Sequence, residues 1–194
     1  MTKTILICEG TAEKAILDIL LDNNCLKINR TDLLYEKIID KLPSPSIFCQ
    51  KYLSRDFGEK INVFIVLDSL KWQLSISEVY HKKIQSIEYY ITRPEIEAIQ
   101  LEADGNWKIK YQQFSGKHRN NGPKINKPST FFKESIKSGG LGIKNIKKYE
   151  YVYDLWVDNP VGLCNALMSV KNDMNKRNVL KSNKGQFCLA DLLK

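Results

Sequence analysis

The stretch TILICEGTAEKAILDILL, residues 4–21, decides the fold that this sequence predicts. Residues 4–8 are a run of β-branched and apolar side chains, which is typical of a strand buried on both faces of a parallel sheet. Apolar side chains then recur at helical spacing from Ala12 to Leu20, which predicts an amphipathic helix. Gly10 predicts a tight turn between them, because glycine accepts backbone conformations that a side chain forbids.

Two glutamates flank this turn. Glu9 directly follows the predicted strand, at the end where open α/β sheets place their sites. Glu13 lies in the first turn of the predicted helix, close enough to share a ligand with Glu9. A carboxylate pair of this kind suits Mg²⁺, which prefers hard oxygen ligands. The alternative interpretation is that acidic residues near a helix N-terminus only complement the helix dipole.

A second apolar run, INVFIVLD at residues 61–68, also ends in a carboxylate. Two such strands separated by helical segments predict a parallel α/β sheet with helices around it. The ends of neighbouring parallel strands lie on the same edge of a sheet, so we expect Glu9 and Asp68 to converge. The alternative for Asp68 is a helix or turn cap, which is common for aspartate after a strand.

A third strand followed by carboxylates is predicted at residues 87–97. Residues 87–91 favour β-structure, and Pro94 suits the first position of a helix that begins with Glu95 and Glu97. Two residues on a helix diverge by about 200° when they are two positions apart, so only one of these glutamates faces the sheet edge. The apolar residues that follow favour Glu97. Dipole complementation is the alternative here as well.

Periodicity also predicts the type of several other segments. Apolar stripes predict helices over residues 31–41, 75–85 and 149–156, and a further helix that starts at Pro160. The alternation over residues 107–114 predicts an edge strand or a hairpin.

The composition is that of an ordinary globular protein. Its 194 residues are 43% hydrophobic and 27% charged, enough for one domain with a core and a small appendage. No apolar run approaches the roughly 20 residues of a membrane span, and a single Lys3 before a strand-length run does not resemble a signal peptide, so we expect no membrane association. Five scattered cysteines without a C-x-x-C pair, and only two histidines, argue against a zinc site and favour reduced thiols in the cytoplasm.

Positive charge is concentrated in the second part of the chain. Residues 1–115 hold 15 Lys/Arg and 16 Asp/Glu, whereas residues 116–194 hold 15 and 6, which gives net charges of −1 and +9. We therefore expect an α/β domain at 1–115 and a basic, mainly helical extension at 116–194 packed on it. A basic half beside a carboxylate-bearing half suits an enzyme that acts on a polyanion. The alternative is that a lysine-rich surface only keeps the protein soluble.

The candidate contacts to nucleic acid lie in this basic region. The polar segment 116–129 either follows a phosphate backbone or is a linker. The candidate residues are Lys117, Arg119, Lys124, Lys127, Lys144, Lys147 and Lys148.

The motifs at residues 5–13 and 63–68, in this order, resemble those of the Toprim domain. This α/β module occurs in primases, topoisomerases and the OLD and RloB-like nucleases of phage defence. Glu9 matches its Glu-Gly motif, and Glu13 matches the second glutamate of the nuclease branch. Asp68 matches the first aspartate of its Asp-x-Asp motif. Residues 93–98 resemble a Pro-x-x-Glu motif of the RloB-like branch, which brings Glu97 into the site. The resemblance covers about residues 4–105.

One position departs from the family pattern. Leu70 stands where the second aspartate of Asp-x-Asp is expected, and a leucine cannot ligate a metal. The departure leaves three alternatives: a single metal, a rerouted ligand such as Glu97, or a site that has lost catalysis.

The resemblance implies a nuclease or related phosphoryl-transfer protein that uses Mg²⁺ or Mn²⁺ on DNA or RNA, in bacterial phage defence. Glu9 and Asp68 would be catalytic, and Glu9, Glu13, Asp68 and Glu97 would hold the metal. The ion would neutralise the scissile phosphate and activate water, with Glu9 as general base if its carboxylate neighbours raise its pKa. Residues 116–148 would bind the nucleic-acid backbone without reading sequence.

Two other functions remain open from the sequence. The first is a catalytically degenerate Toprim-like module that binds nucleic acid or regulates a protein partner of a defence system. The second is a flavodoxin-like or receiver-type domain with Asp68 in an acidic pocket.

Overall fold

A parallel sheet with helices on both faces organises the computed structural model, which describes residues 2–69, 71–92, 96–117, 127–176 and 186–194. In these residues five strands form one sheet, all neighbours are parallel, and the order is β2-β1-β3-β4-β5. The strands are β1 Thr4–Cys8, β2 Leu33–Ile39, β3 Ile61–Leu67, β4 Ile84–Ile91 and β5 Gln186–Cys188. The α/β prediction is confirmed. This order is also the one of doubly wound, flavodoxin-like sheets.

Helices cover both faces of the sheet. They are α1 Thr11–Asp22, α2 Pro45–Phe48, α3 Glu78–His81, α4 Glu97–Gln100, α5 Gly105–Lys117, α6 Pro128–Lys133, α7 Tyr149–Trp156 and α8 Pro160–Lys176. A π-helical turn, Cys49–Leu53, continues α2. Within the part of the chain that the structure describes, none of the helices has the length and apolar character needed to cross a membrane.

The alternation of side chains along β1 explains why this strand is apolar throughout. Leu6 and Cys8 face a core layer that contains α1, α7 and α8, whereas Ile5 and Ile7 face the layer that contains α2 and its π-helical turn. All residues of β1 are buried, because helices cover both of its faces.

The basic C-terminal region is built into the same fold. α7 and α8 pack in one core cluster with α1, and β5 extends the sheet beside β4. The boundary predicted after residue 115 falls inside α5. A third, smaller cluster joins α5 and α6; its buried members are Leu101, Phe114, Phe131, Phe132 and Ile146.

The helix predicted over residues 31–41 is wrong, because Leu33–Ile39 of this segment form β2. Thr4 of β1 pairs with Leu33, and Leu6 pairs with Ile38, so β2 carries three extra residues between these two pairs. Tyr35 and Glu36 within this bulge adopt positive φ angles of 60° and 54°. The bulge separates two short apolar pieces by the same distance as a helical repeat, which explains the misleading stripe.

Residues 107–114 form part of α5, so the predicted edge strand or hairpin is also wrong. Trp107, Tyr111 and Phe114 are spaced four and three residues apart, and all three pack against Phe131 or Phe132 of α6. Ile109, which completed the apparent alternation, is exposed.

The helix predicted over residues 75–85 is much shorter in the structure. Only α3, Glu78–His81, is helical, and β4 already begins at Ile84. The third strand predicted at 87–91 is confirmed as the second half of β4.

Candidate functional site

A cleft of about 510 Å³ lies at the carboxyl edge of β1, β3 and β4. β2 and β3 lie on opposite sides of β1, so this edge includes the point where the strand order reverses, the usual ligand position in doubly wound sheets. Four carboxylates and three lysines contribute to the lining: Glu9, Glu13, Asp68, Glu97, Lys71, Lys127 and Lys147.

Glu9 and Asp68 meet because β1 and β3 are adjacent and parallel. The Glu9 amide donates to the Val66 carbonyl over 3.0 Å, and the Asp68 amide donates to Glu9 Oε2 over 3.1 Å. Glu9 is largely exposed at the cleft, yet partial desolvation of its carboxylate is the main cause that raises its pKa. The Asp68 carboxylate raises the pKa of Glu9 further, whereas the Asp68 amide opposes the shift.

Glu13 is buried in the first turn of α1 and lies against Gly10. Gly10 has an extended backbone, with φ of −143°, so the predicted need for a special glycine conformation is wrong. A Cβ at this position would lie 2.8 Å from Glu13 Oε2, so the glycine provides space for that carboxylate. Burial is the largest cause that raises the pKa of Glu13, and the negative charges of Glu9 and Glu97 add to it.

Glu97 is fully buried at the start of α4, with none of its surface exposed. Neither of its carboxylate oxygens has a hydrogen-bond partner among the described residues. Lys147 Nζ lies 3.1 Å from Glu97 Oε1, which makes the two an ion pair. Charge proximity therefore compensates Glu97 without a directional bond.

The backbone around Lys147 is fixed on two sides. Thr11 Oγ1 donates to the Lys147 carbonyl over 3.0 Å, and Gln100 Nε2 donates to the Ile146 carbonyl over 3.0 Å. The start of α1 and the end of α4 thus hold this segment across the cleft. The Lys147 side chain itself is 58% exposed.

The other predicted basic residues are distributed differently. Lys127 lines the cleft with Lys147, whereas Lys117, Lys144 and Lys148 are exposed and lie outside its lining. Arg119 and Lys124 fall outside the described residues, as does Leu70.

Sequence reasoning missed three residues of the site. Lys71 lies three residues after Asp68, and Thr11 lies between the two glutamates of the first motif, so their positions in the sequence were a usable signal. Gln100 is one helical turn after Glu97, and its tie to Ile146 depends on a contact between distant segments.

The donor chemistry of the cleft fits a hard divalent cation. Four carboxylates line it, and the buried oxygens of Glu97 have no hydrogen bond within the described residues. Desolvation by burial, with a smaller contribution from neighbouring carboxylates, raises the pKa of Glu9 and Glu13. In the ranges that the structure describes, however, no three acidic, histidine or cysteine side chains are grouped as metal ligands. The Lys147 ammonium supplies the positive charge beside Glu97 in this arrangement.

Comparisons with protein-family models, curated proteins and solved structures find no match to this chain.

Proposed function

We propose that this protein is a Toprim-like phosphoryl-transfer enzyme, a nuclease that uses Mg²⁺ or Mn²⁺ on DNA or RNA. The observation that carries the proposal is that four carboxylates line one cleft, and that one of them, Glu97, is completely buried with no hydrogen bond from any residue that the structure describes. Two of these carboxylates, Glu13 and Glu97, are buried, and negative charge there is unfavourable unless a cation compensates it. The lysines of the cleft supply part of this charge, and a divalent ion would supply more.

The carboxylates would hold the metal from the ends of three neighbouring strands. Glu9 follows β1, Asp68 follows β3, Glu97 follows β4, and Glu13 joins them from α1. Glu97 would take the place of the ligand that Leu70 cannot provide. A bound ion would neutralise charge on the scissile phosphate and lower the pKa of a water molecule.

Glu9 is the best general base among the four. Its carboxylate is accessible from solvent, and desolvation together with Asp68 raises its pKa toward the working pH. The Asp68 amide fixes one carboxylate oxygen of Glu9, which would leave the other oriented for a water molecule.

The basic surface supports nucleic acid as the substrate class. Lys71 and Lys127 line the cleft itself, and residues 116–194 hold 15 Lys/Arg and 6 Asp/Glu, a net charge of +9. Lysines contact phosphates irrespective of base sequence, so we propose binding along the backbone. We also propose a role in phage defence, with or without a protein partner. The resemblance to the Toprim family is the support for this role.

Metal titration with a parallel cleavage assay tests this function. Mg²⁺ and Mn²⁺ would be titrated by calorimetry into the wild type, Glu9→Gln and Glu97→Gln, with labelled DNA and RNA as substrates. Glu78→Gln is the matched control, because Glu78 is exposed and lies outside the cleft lining. We expect the wild type and the control to bind metal and cleave, and both cleft variants to lose cleavage. A wild type that binds neither ion would overturn the proposal.

A binding module without catalysis is the second candidate. The observations that favour it are the lack of a three-ligand group in the described ranges and the ion pair that already compensates Glu97. Such a module would bind DNA or RNA in the presence of a chelator, with an affinity that falls steeply as salt increases. Metal-dependent cleavage that Glu9→Gln abolishes would exclude this candidate.

A further inference from the structure

We infer that Lys147 is an internal counter-cation, which a divalent metal ion must displace from Glu97 in order to bind the cleft. The inference rests on the proposed metal-dependent function. It assigns to Lys147 the control of metal entry, whereas the sequence indicated only contact with nucleic acid.

The first step is that Glu97 requires a cation. A carboxylate buried without hydrogen bonds carries a large desolvation cost, unless a nearby charge compensates it. Glu97 is fully buried, neither oxygen has a hydrogen-bond partner among the described residues, and Lys147 Nζ lies 3.1 Å away. Lysine thus occupies the electrostatic position beside this carboxylate that a metal would need.

The second step is that the ammonium can leave while the backbone stays. Thr11 and Gln100 hold the carbonyls of Lys147 and Ile146, so the chain on this side of the cleft is fixed. The lysine stem is flexible, and more than half of the side chain is already exposed. Exchange of the ammonium for a metal therefore requires rotation of one side chain.

The third step is that departure of Lys147 and arrival of the metal are coupled. The positive charge of Lys147 lowers the pKa of Glu9 and Glu13, against the larger effect of burial. If Lys147 leaves alone, the negative charges of Glu9, Glu13 and Glu97 lose a neighbouring positive charge. A divalent ion that takes its place supplies two positive charges instead of one. By linkage, the ammonium weakens metal binding by the same factor by which the metal weakens the ion pair.

Manganese calorimetry on Lys147→Met tests the inference. We expect Mn²⁺ to bind this variant at least about fivefold more tightly than the wild type, in the range of ordinary site-to-site couplings. Lys137→Met is the matched control, because Lys137 is exposed and does not line the cleft; its affinity should equal that of the wild type. Equal affinities in the wild type and Lys147→Met would overturn the displacement and leave the metal-dependent function standing. Absence of binding in every protein would overturn both.

A second measurement uses the wild type, so it holds even if Lys147→Met does not fold. A low-molecular-weight acylating reagent labels lysine amines, and mass spectrometry reports the labelling rate at Lys147 relative to Lys137. We expect Mn²⁺ to increase this ratio severalfold, because the ion pair with Glu97 restrains the amine before exchange. A ratio that stays constant at a manganese concentration that saturates the protein would overturn the inference.

Discussion

The backbone amide of Asp68 donates a hydrogen bond to the Glu9 carboxylate across the ends of two adjacent parallel strands. The same two residues also repel each other through their side chains, and this repulsion raises the pKa of Glu9 in addition to desolvation. Asp68 thus orients Glu9 through its backbone N–H and contributes to the raised pKa of Glu9 through its carboxylate.

Replacement of Asp68 by Asn separates the orienting hydrogen bond from the electrostatic repulsion. It removes the side-chain charge and leaves the backbone N–H of residue 68 in place. We expect Asp68→Asn to lower the pKa of Glu9 relative to the wild type. Carboxyl-carbon NMR titration of the metal-free protein measures this directly. Asp158→Asn, at an exposed site outside the cleft lining, serves as the control. An unchanged titration of Glu9 in Asp68→Asn would contradict the electrostatic coupling.

The stability of the metal-free protein should depend on pH through Glu13. Burial raises the pKa of Glu13 above its ordinary value of 4.5, so the folded protein retains this proton to higher pH than the unfolded chain. The contribution of Glu13 to the free energy of unfolding is therefore lost as the pH rises from about 4.5 through the folded pKa. We expect Glu13→Gln to be more stable than the wild type at neutral pH, with a difference that shrinks toward pH 4.5.

Urea titrations at several pH values, with a chelator present, measure this difference. Glu78→Gln again controls for the loss of one surface charge. A stability difference between Glu13→Gln and the wild type that stays constant across this pH range would show that Glu13 does not titrate as we expect.

We expect Gly10→Ala to weaken metal binding while it changes the free energy of unfolding little. The extended φ of Gly10 is open to alanine, and removal of a glycine from the unfolded chain stabilises a protein by about 0.4–1 kcal/mol. The added Cβ would lie 2.8 Å from Glu13 Oε2, so this carboxylate has to move. We expect the free energy of unfolding to stay within about 1 kcal/mol of the wild type while Mn²⁺ affinity falls severalfold. Gly105→Ala, where the new Cβ has no atom of the other described residues within 4 Å beyond its own chain neighbours and helix backbone, should leave metal binding unchanged.

Trp156→Ala tests whether the basic C-terminal region belongs to the main core. Trp156 is 2% exposed and packs in the same cluster as Leu6 of β1. We expect a loss of about 3–5 kcal/mol in the free energy of unfolding. Chemical denaturation followed by circular dichroism measures it. Val161→Ala, at a site that is 69% exposed, should change stability by less than about 0.5 kcal/mol. A loss near zero for Trp156→Ala would mean that α7 is dispensable for the sheet.

The parts of the fold that the sequence predicts correctly are those that local chemistry determines. β1 and β3 are buried on both faces, so their uninterrupted apolar runs identify them, and the carboxylates after them are consequently at one edge. The sequence predicts a helix where β2 lies, because the bulge separates apolar residues by a helical repeat. It predicts a strand or hairpin in α5, because the exposed Ile109 completes an apparent alternation.

The ion pair between Glu97 and Lys147 cannot be predicted from the sequence, and the reason is different. Glu97 and Lys147 are each identifiable as a candidate from their surroundings in the sequence. Their pairing, however, depends on the ties that Thr11 and Gln100 make to residues far along the chain. Local periodicity carries no information on such contacts, since they are decided by how separate helices pack.

The bulge in β2 has a consequence for how the protein behaves at high concentration. β2 forms one border of the described sheet, where a regular strand offers its backbone amides and carbonyls to the strand of another molecule. Two left-handed residues, Tyr35 and Glu36, interrupt that row, and the charged side chains of Glu36 and Lys37 project into solvent there. A strand of another molecule therefore finds few regularly spaced backbone partners along β2. This protects the sheet from aggregation through its exposed edge.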